Sequence, residues 1–225
     1  MAEGARAAAD LARRRDRLPP GRHGLPRDLV AESQRERLLN GVVEAVAEHG
    51  YNETTISRIS EAAKVSRRTF YEHFTGKEDC FLAAYEMIDE HVRSSVLKAA
   101  DPDEPWPEQV RERLSILLSV LSHDEAVARF YLVEPLVAGG EPAARYREAM
   151  QLLSEAVRPR QAVADMDGEV RDQALIGGVA TMIARRLKAG RGEQLPELLP
   201  DLAELVLAPY LGREAARSFA TGEGS

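Results

Sequence analysis

The residues best suited to chemistry in this 225-residue chain lie together, in the run Ser66-Arg67-Arg68-Thr69-Phe70-Tyr71-Glu72-His73-Phe74. The forked donors of arginine match guanine O6 and N7, and a threonine methyl can touch the methyl of thymine. Arg67, Arg68 and Thr69 are therefore suited to reading base edges. Ser66 is a natural N-cap, and the free amides of a helix that it opens would point outward, as they do at phosphate-binding helix starts. Covalent chemistry has no comparable grouping. The sequence holds no GxSxG, HExxH or strand-borne GxGxxG, and Gly76-Lys77-Glu78 lacks both the upstream Gly and the following Ser or Thr of a P-loop. His23, His49, His73, His91 and His123 form no i, i+4 pair, and Cys80 stands alone among Phe81, Leu82 and Tyr85. Neither an enzyme, a metal site, a cofactor nor a disulfide is expected, and Cys80 reads as a buried structural thiol.

The elements that must carry the run read as helices throughout, with no sustained period-2 alternation, so the expected fold class is all-α. Leu39, Val42, Val43 and Val46 form a helical stripe that stops at Gly50 and predicts a first helix over 33–49. Ile56, Ile59 and Ala63 line a two-turn segment, and a second short segment runs from Arg67 to Phe74. Thr75 and Glu78 have the spacing of a capping box for a long helix bearing Phe81, Tyr85, Ile88, Val92 and Val96. The proline-rich stretch 101–107 is a loop before the Val110, Leu114, Leu117, Leu118, Leu121 stripe. Ser122 with Glu125 offers a second box for a helix that Pro135 ends or kinks, Gly139-Gly140 is a turn, and Pro142 suits the start of the next helix. Two helices over about 168–189 and 196–211 close the chain.

Two short helices separated by a tight turn are the form of a helix-turn-helix, whose second helix enters the major groove. Ile59, Ala63, Val65 and Phe70 can pack together while Arg67, Arg68, Thr69, Tyr71 and His73 face outward. The run from Ala63 to Phe74, followed by Lys77-Glu78, resembles the DNA-binding signature of the TetR family, over about 33–85. The resemblance implies an N-terminal three-helix DNA-binding domain and a C-terminal helical domain that dimerises and holds an effector. It implies phosphate contacts from Thr55, Tyr71, His73 and Lys77, and base contacts from Arg67, Arg68 and Thr69. One position departs from the family pattern: the turn often made by Gly is Lys64 here, which predicts either a lysine at positive φ or an altered turn.

The net charge of −7 argues superficially against nucleic acid, but residues 1–30 carry +3 and leave −10 on the rest. A basic end on an acidic body suits a protein that meets phosphate with one end, although a solvated tail has the same composition. Arg22, in a Pro- and Gly-rich arm, is a candidate for the minor groove. The expected organisation is a flexible arm (1–30), a DNA-binding domain (31–76), an effector and dimer domain (77–213) and a flexible tail (214–225). Specificity calls for two recognition helices about 34–36 Å apart, hence a homodimer on a palindromic DNA operator. The resemblance implies that the last two long helices form the dimer face, here Ile176, Gly177, Ala180, Ile183 and Leu187 with Leu198, Leu202, Leu205, Val206 and Tyr210. Trp106, Phe130, Tyr131, Tyr146 and Met150, with His123 or Glu134, are the candidates for an effector pocket. With no membrane-length apolar run and no secretory leader, the expected site of action is the cytoplasm. The reading is a repressor released by a small-molecule effector; activation by ligand, an architectural DNA binder and a purely oligomerising helical protein are the alternatives.

Overall fold

A computed structural model describes residues 27–159 and 166–221, and among these every regular element is a helix. The first, α1 (Arg27–Glu53), outruns the hydrophobic stripe at both ends and continues past Gly50, which kinks it at φ 75. Thr54 locks the kink, its hydroxyl donating to Gly50 O at 2.8 Å and Ala45 O at 3.1 Å. Two short helices follow, α2 (Ile56–Ala62) and α3 (Arg67–His73). Leu38, Val42, Ile59, Phe70 and Phe81 are wholly buried where these helices meet α4 (Lys77–Ala99).

Gly41 sets how closely α1 and α2 approach. A Cβ there would lie 2.8 Å from Ala63 N and 2.9 Å from both Ala63 Cβ and Ile59 O, so only a hydrogen side chain admits the end of α2. Cys80 is buried with its thiol donating to Leu38 O at 3.8 Å, and burial pushes that thiol up to about 12.

The long helix α4 runs on past these helices and packs Ile88, Val92 and Val96 against the C-terminal helices, in one continuous apolar core. Those helices are α5 (Trp106–His123), α6 (Glu125–Leu132), α7 (Glu134–Ala138), α8 (Gly140–Val157) and α9 (Met166–Lys188). A 3₁₀ segment (Gly192–Leu198), α10 (Leu199–Leu211) and α11 (Arg213–Thr221) complete the set. Among the described residues no helix is long and apolar enough to cross a membrane.

Three sequence expectations are corrected. Thr75 does not cap α4 with Glu78; Gly76 is the N-cap, and Thr75 donates from its amide and hydroxyl to Asp79 at 2.8 and 3.0 Å. The second capping box is replaced by Asp124, one carboxylate accepting from the amides of Ala126 and Val127, because a carboxylate reaches both donors without a partner three residues on. The stretch from 214 is no tail as far as Thr221: after Gly212 turns the chain at φ 81, α11 folds back on α10, burying Ala216 and Ala220 and pairing Arg217 with Glu204.

Gly41→Ala is expected to destabilise the protein by about 1–3 kcal/mol, the usual penalty of overpacking a rigid contact, and to lower its urea midpoint without changing the slope. An unaltered midpoint would show that α2 can back away from α1.

Candidate nucleic-acid interface

The segment between α2 and α3 is a Schellman turn: Lys64 N–H donates to Glu61 O and Val65 N–H to Ser60 O, each at 3.0 Å. The left-handed position that glycine usually fills in this motif is Lys64 at φ 54, the only described non-glycine residue with positive φ. A non-glycine residue there stores roughly 1–3 kcal/mol of strain. The first of the two outcomes foreseen for Lys64 is the one adopted. Arg37, an α1 residue that carries no signal in the sequence pattern, reaches the turn and donates to Ala63 O at 2.9 and 2.7 Å and to Lys64 O.

Past the turn, Ser66 caps α3, its Oγ accepting from Thr69 N at 3.0 Å and lying 2.9 Å from Thr69 Oγ1. Phe70 faces inward and is fully buried, with Phe74 beside it at a ring separation of 5.8 Å. With that face anchored, α3 turns its opposite face to solvent. Arg67 is exposed, Arg68 is 89% exposed and held extended by Glu72 at 3.1 Å, and Tyr71 is 54% exposed. Thr69 is half-buried and keeps its hydroxyl on the cap.

The residues assigned to phosphate are placed less uniformly. Thr55 is exposed and caps α2 through Arg58 N at 3.3 Å. Arg58 itself, unremarked in the sequence, is exposed on the same helix and donates to Glu53 O. His73 is half-buried, its Nε2 3.4 Å from Gln34 Oε1. Lys77 is turned toward the kink of α1: its Nζ donates to Tyr51 O at 2.8 Å and sits 4.2 Å from the Tyr51 ring centroid. Burial moves the Lys77 ammonium below its ordinary pKa, with the Glu53 carboxylate opposing. Arg22 lies outside the described residues.

Behind α2 and α3, Tyr51 and Glu134 join α1 to the C-terminal helices. Glu134 is buried and its Oε2 accepts the Tyr51 amide at 2.9 Å, while the Phe81 ring lies 5.0 Å from Tyr51 and 4.3 Å from Phe130. Glu134 and Phe130, nominated for an effector, thus occupy the junction between domains. Tyr131 and Met150 do line a cavity of about 30 Å³, with leucines of α5 and Ile176, Val179, Ala180 and Ile183 of α9. Tyr131 donates to Asp89 at 2.8 Å, and desolvation is the leading cause that raises the pKa values of both. Trp106 lies at another edge, its indole donating to Val157 O at 3.0 Å and its ring 5.1 Å from Tyr210. His123 is exposed at the end of α5, and Tyr146 is half-buried on α8.

The expected dimer stripe is consumed within the protomer. Ile176, Ala180, Ile183 and Leu187 of α9 are buried, as are Leu198, Leu202 and Val206, because α9 packs on α8 and α6 while α10 packs on α5 and α11. Tyr210 is tied to buried Asp172, which Arg158 also meets at 2.6 Å. Gly177 and half-buried Leu205 remain accessible; a Cβ added at Gly177 would meet nothing within 4 Å, whereas one at Gly178 would meet Leu205 at 3.3 Å.

Residues 38–84 match the family described as bacterial regulatory proteins, tetR family. The HTH-type transcriptional activator FasR of Mycolicibacterium smegmatis is 25% identical over 185 residues, 80% of this chain and 81% of FasR. The HTH-type transcriptional repressor AcnR of Corynebacterium glutamicum is 41% identical over 51 residues, 23% of this chain and 27% of AcnR. Among solved structures, the transcriptional regulator FadR of Bacillus subtilis in complex with stearoyl-CoA superposes with a TM-score of 0.61 at 20% identity, over 76% of this chain and 97% of FadR.

On a duplex library with single-base changes, Arg68→Ala is expected to erase preference at one position, a loss of about 1–3 kcal/mol, whereas Tyr71→Phe weakens every duplex alike. Equal losses on every sequence from both would reverse the division between base and phosphate contacts.

Proposed function

We propose that this chain, whose residues 38–84 match the tetR family of bacterial regulatory proteins, is a cytoplasmic homodimeric repressor of that family that a small apolar effector releases from a palindromic operator. The observation that carries DNA binding is the free outer face of α3, with two exposed arginines and a tyrosine on a helix whose inner face is fixed by Phe70. In this reading residues 31–76 hold the DNA and residues 77–213 hold the effector and the partner subunit. A partner copy meets the exposed side of α9 and α10 around Gly177 and Leu205, where small side chains permit close helix approach.

The effector reading starts from the cavity lined by Leu114, Leu117, Leu121, Tyr131, Met150 and Ile183. Its 30 Å³ is far below the roughly 300–1,000 Å³ of small-molecule sites. An effector enters by separating α5 from α9, and its apolar part replaces contacts that the walls now make with each other. The complex of FadR with stearoyl-CoA makes acyl thioesters the first class to test. Wall movement is carried by Tyr131 and Leu132 to Phe130 and Glu134, next to them in the chain, and so to Tyr51 and α1. A ligand favouring the opened conformer shifts the dimer away from the spacing that fits two half-sites. The likeness to FasR, named an activator and matched along most of both chains, supports a second reading in which the opened conformer is the one that grips DNA.

Selection of genomic fragments by the purified protein is expected to return a palindrome whose half-sites are one helical turn, or a multiple, apart. Failure to retain any duplex at low ionic strength would sink the DNA-binding reading. Adding an acyl thioester is expected to shift operator affinity by about 5- to 150-fold, downward for a repressor and upward for an activator. Glu134→Ala is expected to bring that ratio close to one, while Glu134→Gln, which keeps an acceptor for Tyr51 N–H, retains most of it. A full ligand response in Glu134→Ala would remove Glu134 from the route.

A further inference from the structure

The turn that aims α3 combines a strained residue with an external clamp. Lys64 stands at φ 54, where side chains are disfavoured, and the Schellman bonds of Lys64 and Val65 exist only while it stays there. The carbonyls of Ala63 and Lys64 close the C-terminal end of α2, where partial negative charge collects. Both accept from the Arg37 guanidinium: Nε and one terminal nitrogen share Ala63 O at 2.9 and 2.7 Å, and that terminal nitrogen also reaches Lys64 O. Gly41, one turn further along α1 and on the same face, lets α1 lie against Ala63, so the arginine stem spans a short, fixed gap.

We propose that Arg37 is a positioning residue for DNA recognition, whose guanidinium holds Lys64 in the left-handed turn and thereby sets the angle at which α3 meets the groove. The inference deepens the DNA-binding reading and rests on it. The seven residues of α3 span about 10 Å, so a rotation of about 20° at Lys64 displaces its far end by roughly 3 Å. That is as large as a hydrogen-bond length, and Arg67 and Arg68 would miss their base edges. The forked donor set is the essential chemistry. An ammonium at the end of a lysine supplies a point charge but cannot hold two carbonyls in one plane. Because glycine adopts positive φ freely, the clamp is needed only while residue 64 carries a side chain.

The test is a double-variant cycle on the full chain: wild type, Arg37→Ala, Lys64→Gly and the two combined. The probes are a duplex of about 30 base pairs recovered by selection with the wild type and an unrelated duplex of equal length, each titrated over a range of salt. Arg37→Ala is expected to weaken the selected duplex roughly tenfold with little change in the salt slope. The combined variant is expected to bind within about threefold of Lys64→Gly alone. A salt slope lowered by about one, with no rescue by Lys64→Gly, makes Arg37 a phosphate contact and overturns the proposal; so does wild-type affinity in Arg37→Ala. If Arg37→Ala fails to fold, the combined variant decides: binding like Lys64→Gly supports the clamp and failure to bind overturns it. Amide exchange at Lys64 and Val65, measured without DNA, is expected to rise at least about tenfold in Arg37→Ala. Unchanged exchange overturns the clamp even if the wild type binds no duplex, which separates its failure from failure of the DNA-binding reading.

Discussion

The packing of Phe81 between Tyr51 and Phe130 is the contact on which the rest of the molecule depends. Its ring belongs to α4, whose first turns pack against the N-terminal helices and whose later turns pack against the C-terminal ones. Ring centroids at 4.3 and 5.0 Å leave no slack, and interiors packed this densely shift between discrete arrangements rather than deform smoothly. The buried Glu134 carboxylate on the Tyr51 amide adds a directional bond at the same junction. The C-terminal helices therefore meet α1 at Tyr51 through one apolar and one polar contact.

The helix pair α2 and α3 is held in place for a different reason. With helices of seven residues, α2 and α3 are too short to stand alone in water and take their order from α1 and α4. Burying Phe70 fixes the rotation of α3 about its own axis, the Ser66 cap fixes where it starts, and the Lys64 turn fixes its tilt. Only after those three degrees of freedom are spent does the exposure of Arg67, Arg68 and Tyr71 become a geometry rather than a list of side chains. The acidic body fits this arrangement, since like charge keeps the remaining surface away from phosphate.

The differences between sequence pattern and packing in the C-terminal helices share one cause. Apolar stripes on α9 and α10 were legible as stripes, yet a stripe does not say which neighbour covers it. Seven of the ten residues expected between subunits lie in the protomer's own core, where α5, α6, α8 and α11 cover them. Among the effector nominees, aromatic character attracted attention, but the cavity walls are mainly aliphatic, and Phe130 and Trp106 fill other gaps. The helix at Arg213–Thr221 was missed because its apolar face is two alanines and a phenylalanine, a signal that becomes a helix only when it folds onto α10.

By itself the sequence determined whatever depends on local pattern: the all-helical class, the short helix pair at 56–73, the outward-facing residue types on the second of them, and the unusual lysine at the turn. These follow from periodicity, capping and side-chain chemistry, which act over a few residues. Tertiary structure alone decided which apolar face meets which. It sent Lys77 to Tyr51, Glu134 to the domain junction, Arg37 to the turn and the α9 stripe inward, because each contact joins residues 26 to 83 positions apart or depends on a neighbouring helix that no local window contains.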